Sequence, residues 1–135
     1  MRKLLFAAVL ACIASSCTVK VAVPNEVQKE WADAEIGVMF HFDMQVFNPD
    51  YEFRQWGTHP DASTFNPTEL DTDQWLEAAS KIGAKYAVLV AKHCCGFSLW
   101  PTEAHEYSVK NSPWKNGEGD IVRDFVESCK KYGIK

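Results

Sequence analysis

His41 and Asp43, then Lys92, His93, Cys94 and Cys95, are the residues of this 135-residue chain whose types and grouping could do chemistry. Each group sits at the end of an apolar run. Ile36 to Phe42 carries His41 near its end, and Tyr86 to Ala91 leads straight into Lys92-His93-Cys94-Cys95, where Gly96 lets the backbone turn. The second run is rich in β-branched residues and too short for a membrane span, so it reads as a strand buried on both faces of a parallel sheet. In parallel α/β proteins, ligands bind at the carboxyl ends of the strands. One histidine in such a place is more often a hydrogen-bonded core residue. Two in matching places on neighbouring strands point to a shared site. His41, Asp43, His93, Cys94 and Cys95 are also all metal-ligand types, which would suit a metal-dependent barrel hydrolase. Against that reading, the residues show no spacing such as His-x-His, and adjacent cysteines rarely both reach one ion. The expectation is a site with no metal and no cofactor.

Several elements must position these side chains. A short helix, Glu26 to Asp33, leads into the first strand, Ile36 to Asp43. Asn48 to Pro67 follows as a long loop rich in Pro, Gly, Asn and Asp, which favour turns. Its aromatics (Phe47, Tyr51, Phe53, Trp56, Phe65) argue against disorder and predict a loop folded over the carboxyl edge of the sheet. Asp71 with Gln74 has the form of a capping box. Trp75, Leu76, Ala79 and Ile82 then make a helical stripe, and Gly83 stops it. The strand Tyr86 to Lys92 comes next, and the intervening helix forces a parallel crossover. Pro101 to Glu118 is irregular. Gly119-Asp120 starts a further helix with Ile121, Val122, Phe125, Val126 and Cys129 on its buried face. Gly133 ends that helix, and Ile134-Lys135 begins a third strand. This pattern predicts an α/β fold: the amino-terminal βαβα portion of a (β/α)8 TIM-like barrel, truncated, in residues 26–135. A doubly wound sheet is the alternative, weakened because no glycine-rich phosphate fingerprint follows either strand.

The totals exclude some functions. Lys plus Arg is 14, Asp plus Glu is 18, and the net charge is -4. No basic stripe interleaves with aromatics, so no nucleic-acid partner is expected. Five tryptophans and eight phenylalanines either stack on sugar faces from the loops or simply fill a large aromatic core. Residues 1–17 have the form of a signal peptide: Arg2 and Lys3, an apolar Leu4 to Ile13, then Ala14-Ser15-Ser16-Cys17. Small residues before a cysteine resemble a bacterial lipoprotein cleavage site, with Ala14 where leucine is usual. Cys17 would then carry the lipid, residues 18–25 would be a tether, and the protein would be anchored to a membrane without spanning it. An ordinary signal peptide cut near Ser16 is the alternative. The expected location is the periplasm, outer membrane or cell surface of a bacterium. Cys94, Cys95 and Cys129 are odd in number, and neighbours do not easily reach disulfide geometry with each other, so no disulfide framework is expected.

Five segments, in order, resemble the α-L-fucosidases of glycoside hydrolase family 29. They are Trp31 to Phe42 (WADAEIGVMFHF), Gly83 to His93 (GAKYAVLVAKH), Gly96 to Thr102 (GFSLWPT), Tyr107 to Lys115 (YSVKNSPWK) and Gly119 to Phe125 (GDIVRDF). The resemblance implies a (β/α)8 catalytic barrel and a retaining exo-glycosidase that removes terminal α-L-fucose from a fucosylated oligosaccharide or glycoconjugate. It implies an aspartate nucleophile and a carboxylic acid/base, both beyond Lys135, so none of the catalytic pair lies in this chain and the chain alone would be inactive. It implies sugar-binding roles for His41 and His93, since neutral imidazole both donates and accepts hydrogen bonds, and for Trp56, whose indole face meets the sugar ring or its methyl. The chain departs from the pattern at Gln55, where an acid is usual, at Cys94 and Cys95 in place of His-Asp, and at Asp43 in place of glycine. Those departures bear on which sugar is bound. A non-catalytic or altered-specificity glycan-binding lipoprotein is the alternative. The loop residues Glu52, His59, Asp61, Glu103, His105 and Glu106 read as solvated charges.

Overall fold

A computed structural model describes residues 21–52 and 58–135. The chain divides into two compact units, Met1–Ala32 and Asp33–Lys135. Helix α1, Glu26–Asp33, has no buried residue. Its start is built by a reciprocal cap: Gln28 N–H donates to Asn25 Oδ1 at 2.9 Å, and Asn25 N–H donates to Gln28 Oε1 at 2.9 Å. Asn25, read from sequence as the end of a tether, is thus the capping residue of a helix. Among the described residues no helix is long and apolar enough to cross a membrane.

In the second unit, strand β1 (Gly37–Phe40) pairs in parallel with strand β2 (Tyr86–Leu89) in the register Gly37↔Tyr86 to Phe40↔Leu89. The Tyr86 ring lies across Gly37 and fills the space that a side chain at that position would take. Both strands are shorter than the apolar runs that announce them. The first run leaves the sheet at His41 because Phe42 turns into an aromatic cluster and Asp43 caps a 3-10 helix, Met44–Val46. The second stops at Leu89, although Val90 N–H still donates to Phe40 O at 3.0 Å. Lys135 flanks β2, donating to Lys85 O at 3.0 Å and accepting from Ala87 N–H at 2.8 Å, the spacing of a parallel rung.

The crossover is made by helix α2, Thr72–Lys81, and helix α3, Ile121–Tyr132, follows β2. Asp71 caps α2 as expected, accepting from Asp73 and Gln74 N–H. Asp120 caps α3 through Arg123 N–H, and Gly133 ends it in the left-handed conformation. Leu76 and Ala79 of α2 and Phe125 and Cys129 of α3 pack with Val38, Phe40, Ala87 and Leu89 on one face of the sheet. Phe40 stacks on Trp75 with centroids 5.6 Å apart and meets Phe125 edge-on at 5.5 Å. The opposite face is open: Met39 is 62% exposed and Val88 is 41% exposed. The strands are therefore not buried on both faces within this chain, because helices cover only one side. Ile82 and Val126, placed by periodicity on the helical stripes, are also exposed. Ile82 is the C-cap of α2, beyond the helical dihedrals, and Val126 falls outside the buried set Ile121, Phe125, Ser128 and Cys129 of α3.

A second core holds the loops at the carboxyl edge. Met44, Phe65, Phe97, Leu99, Val109, Trp114 and Ile121 are buried together, with Phe42, Phe47 and Tyr107 against them. Phe65, from the long loop, contacts the rings of Phe42, Phe47, Phe97 and Trp114. These aromatics are core, and they are what folds the loop over the edge of the sheet. The irregular stretch after β2 is shaped by two 3-10 helices, Val109–Asn111 and Trp114–Gly117.

Candidate functional site

The parallel register of β1 and β2 brings His41 and His93 to the same edge. Side chains alternate along a strand, so His41 follows Gly37 and Met39 onto the face that the helices leave open. The two imidazoles meet edge to face, with centroids 5.0 Å apart and planes at 86°. His41 is exposed and His93 is half-buried. His93 Nδ1 lies 2.7 Å from Asp43 Oδ2, and the other oxygen of that carboxylate accepts from Gln45 N–H at 2.9 Å. Cys94 Sγ is 3.4 Å from the same His93 nitrogen. His93 is held in a turn closed by Gly96 N–H, which donates to His93 O at 2.9 Å.

The structure joins three of the expected residues, His41, His93 and Cys94, and adds Asp43, which the sequence marked only as a departure and as a metal-ligand type. Gln55, Trp56 and Cys17 lie outside the described residues. Cys95 is more buried than Cys94. It is half-buried, and burial pushes its thiol pKa up, against the backbone N–H groups of Phe97 and Met44 that favour the thiolate. Tyr51 borders the same group, its pKa raised first by burial and then by the nearby charges of Cys95, Cys94 and Asp43. Among the described residues no three His, Cys, Asp or Glu side chains converge to hold a metal ion.

The flanking wall is tied by Tyr107, whose hydroxyl donates to Pro60 O at 2.7 Å and whose ring stacks on His59 at 4.2 Å. Burial holds its phenol far above the ordinary value. Of the loop residues read as solvated charges, Glu52, His59, Asp61, Glu103 and Glu106 are exposed and His105 is half-buried, and several of them also have partners. His59 is against Tyr107, and His105 Nε2 lies 3.0 Å from Ser98 Oγ and 3.3 Å from Lys92 Nζ. Glu103 pairs with Lys110 at 2.7 Å, Glu106 accepts from Asn111, and Asp61 caps the 3-10 helix Ala62–Thr64. Apart from Asp61, which caps through Ser63 two residues on, these partners lie five or more residues away, which composition alone does not reveal.

Two neutral-capable imidazoles at a parallel-strand edge, one braced by a carboxylate, suit a hydroxyl-rich ligand, because imidazole offers a donor and an acceptor in one rigid ring. The family model for alpha-L-fucosidase matches residues 16–135. The chain belongs to the alpha-L-fucosidase family. It is 38% identical over 113 residues to alpha-L-fucosidase 1 of Arabidopsis thaliana, covering 83% of this chain and 22% of that protein. It is 31% identical over 106 residues to the tissue alpha-L-fucosidase of Bos taurus, covering 77% of this chain and 22% of that protein. Among solved structures, a glycoside hydrolase 29 family member from an unknown rumen bacterium superposes with a TM-score of 0.77 at 41% identity, covering 84% of this chain and 20% of that one. An alpha-L-fucosidase of the same family from Bacteroides thetaiotaomicron gives 0.68 at 25% identity, covering 87% of this chain and 30% of that one. The α/β arrangement is shared with these fucosidase-family structures. The chain spans 22% of the length of either curated relative.

Proposed function

We propose that this chain is the amino-terminal βαβα part of a (β/α)8 barrel, and that the whole protein is a retaining α-L-fucosidase. The observation that carries the reading is the pair His41 and His93, 5.0 Å apart at the carboxyl ends of two parallel strands, in a chain of the fucosidase family. In this reading both imidazoles bind hydroxyls of a terminal α-L-fucose, with Trp56 covering a ring face or the methyl group. Gln55 and Cys94 line the same pocket. The open sheet face with Met39 and Val88 becomes the barrel interior, since parallel sheets are covered on both faces. A retaining mechanism needs a carboxylate nucleophile and an acid/base about 5 Å apart. Asp43 is engaged by His93 and by Gln45 N–H, and the resemblance to the family implies that the catalytic pair comes from later strands.

Cys94 stands where the family pattern has a histidine, and a thiol is a weak hydrogen-bond partner. That favours a related sugar, such as a galactoside, as a second reading of the substrate. The leader residues support export and lipidation at Cys17, with anchoring at the bacterial periplasm or surface. The function is tested by assaying the whole gene product with a chromogenic α-L-fucoside beside β-D-galactoside and α-L-galactoside analogues. Fucoside cleavage is expected. A folded protein that cleaves none of them would overturn the fucosidase reading and point to a changed substrate or to a glycan-binding lipoprotein without activity.

A further inference from the structure

We infer that Asp43 is a positioning residue for His93: its carboxylate holds the imidazole hydrogen on Nδ1 and thereby leaves Nε2, as a hydrogen-bond acceptor, to meet the sugar. The inference rests on the reading of this pocket as a fucose site.

The geometry separates two jobs of one side chain. Asp43 has extended backbone, φ -147 and ψ -171, and caps the 3-10 helix Met44–Val46 by accepting from Gln45 N–H. That cap uses Oδ1 alone. Oδ2 is left over, and it lies 2.7 Å from His93 Nδ1. The cap fixes the carboxylate, so the second oxygen is aimed before any ligand arrives. The Asp43 side chain is 15% exposed and that of His93 is 33% exposed, so the contact is more sheltered than a surface ion pair, whose value is small.

A carboxylate only accepts, so the hydrogen between the two groups belongs to the imidazole. Cys94 Sγ, 3.4 Å from the same nitrogen, is a far weaker acceptor than an ionised oxygen and does not compete. Which ring nitrogen of a histidine faces a ligand is set by the bond the other one makes. In neutral His93 the lone pair is therefore on Nε2, and it takes the hydrogen of a sugar hydroxyl.

Asn is as good a cap as Asp, which gives a clean substitution. In Asp43→Asn the amide oxygen keeps the Gln45 N–H bond, and the amide NH2 then faces His93 Nδ1. That nitrogen must now accept, so the hydrogen moves to Nε2 and the acceptor offered to the sugar is lost. The experiment uses the whole enzyme with 15N-labelled histidine, above the range in which a free imidazole titrates, without any substrate. The expected result is His93 with hydrogen on Nδ1 in the wild type and on Nε2 in Asp43→Asn. KM for an aryl α-L-fucoside should rise about tenfold, the size of one lost hydrogen bond, and the rise should vanish in a His93→Ala background. Hydrogen on Nε2 in the wild type, an unchanged tautomer in Asp43→Asn, or an equal KM rise without His93 would each overturn the inference. A wild-type enzyme that ignores the fucoside overturns the sugar half and the fucose reading together, while the tautomer still decides the role of Asp43.

Discussion

Cys94 is exposed at the site, while Cys95, its neighbour, is half-buried with its sulfur against the backbone N–H groups of Phe97 and Met44. Thiolate is the reactive form, and burial disfavours it at Cys95 and at Cys129. With a limiting amount of iodoacetamide at neutral pH, Cys94 should be alkylated first, Cys95 at least tenfold more slowly and Cys129 last, as read by peptide mass spectrometry. Equal labelling of the adjacent pair would contradict this placement. The sign for stability follows from the raised values. The thiol-form contribution of Cys95 is fully present below its unfolded value near 9.0 and is lost as pH rises through the higher folded one. At this scale the sequence was only partly legible. His41 and His93 stood out because each ends an apolar run. The Asp43 to His93 contact did not, because it joins two loops whose meeting depends on strand register, and the partners of His105 and Glu103 were hidden because they meet only through the irregular path of the stretch after β2.

Helices α2 and α3 and their ends were readable because stripe, cap and stop agree at Asp71, Gly83, Asp120 and Gly133. Replacing Asp71 by Ala removes an acceptor for two N–H groups and should destabilise the fold by about 1 kcal/mol in a denaturant titration; no change would mean that α2 is held by packing alone. The strand ends were less readable, since an apolar run does not reveal that Phe42 has left the sheet for the Phe65 cluster. Where α2 meets α3, Asp73 accepts from Ser128 Oγ at 2.7 Å and pairs with Lys131. The Lys131 and Ser128 bonds lower its pKa below the ordinary 3.8. The contribution is thus present above the unfolded value and is lost as pH falls through the lower folded one. Asp73→Asn should lower the urea midpoint at pH 6, and its gap from the wild type should narrow as pH falls past the ordinary 3.8 and close once pH is below the lower folded value. A gap that stays constant through the acid range would rule out the ion pair as its source.

Gly117 shows how the loops constrain the molecule as a whole. Its φ is +80, and a Cβ would lie 2.3 Å from Lys110 O, a backbone atom that cannot swing aside. Gly117→Ala should therefore lower the melting temperature by several degrees, while a surface change beside it, Glu118→Ala, stays within about 0.5 kcal/mol. The open face of the sheet gives the decisive test of architecture. In this chain Met39 is 62% exposed, so Met39→Lys places an ammonium in water and should shift the stability of the 135-residue chain by no more than about 0.5 kcal/mol. In the proposed barrel the same position points into a packed interior, where an unpaired ammonium is strongly unfavourable. The whole protein should then fail to fold or melt far below the wild type. The 135-residue chain should also give no turnover of a chromogenic fucoside, since a retaining mechanism needs two carboxyl groups about 5 Å apart and the site, among the described residues, holds one, Asp43. If Met39→Lys is tolerated equally by the chain and by the whole protein, that face is not a barrel interior, and His41 does not look into a closed sugar pocket.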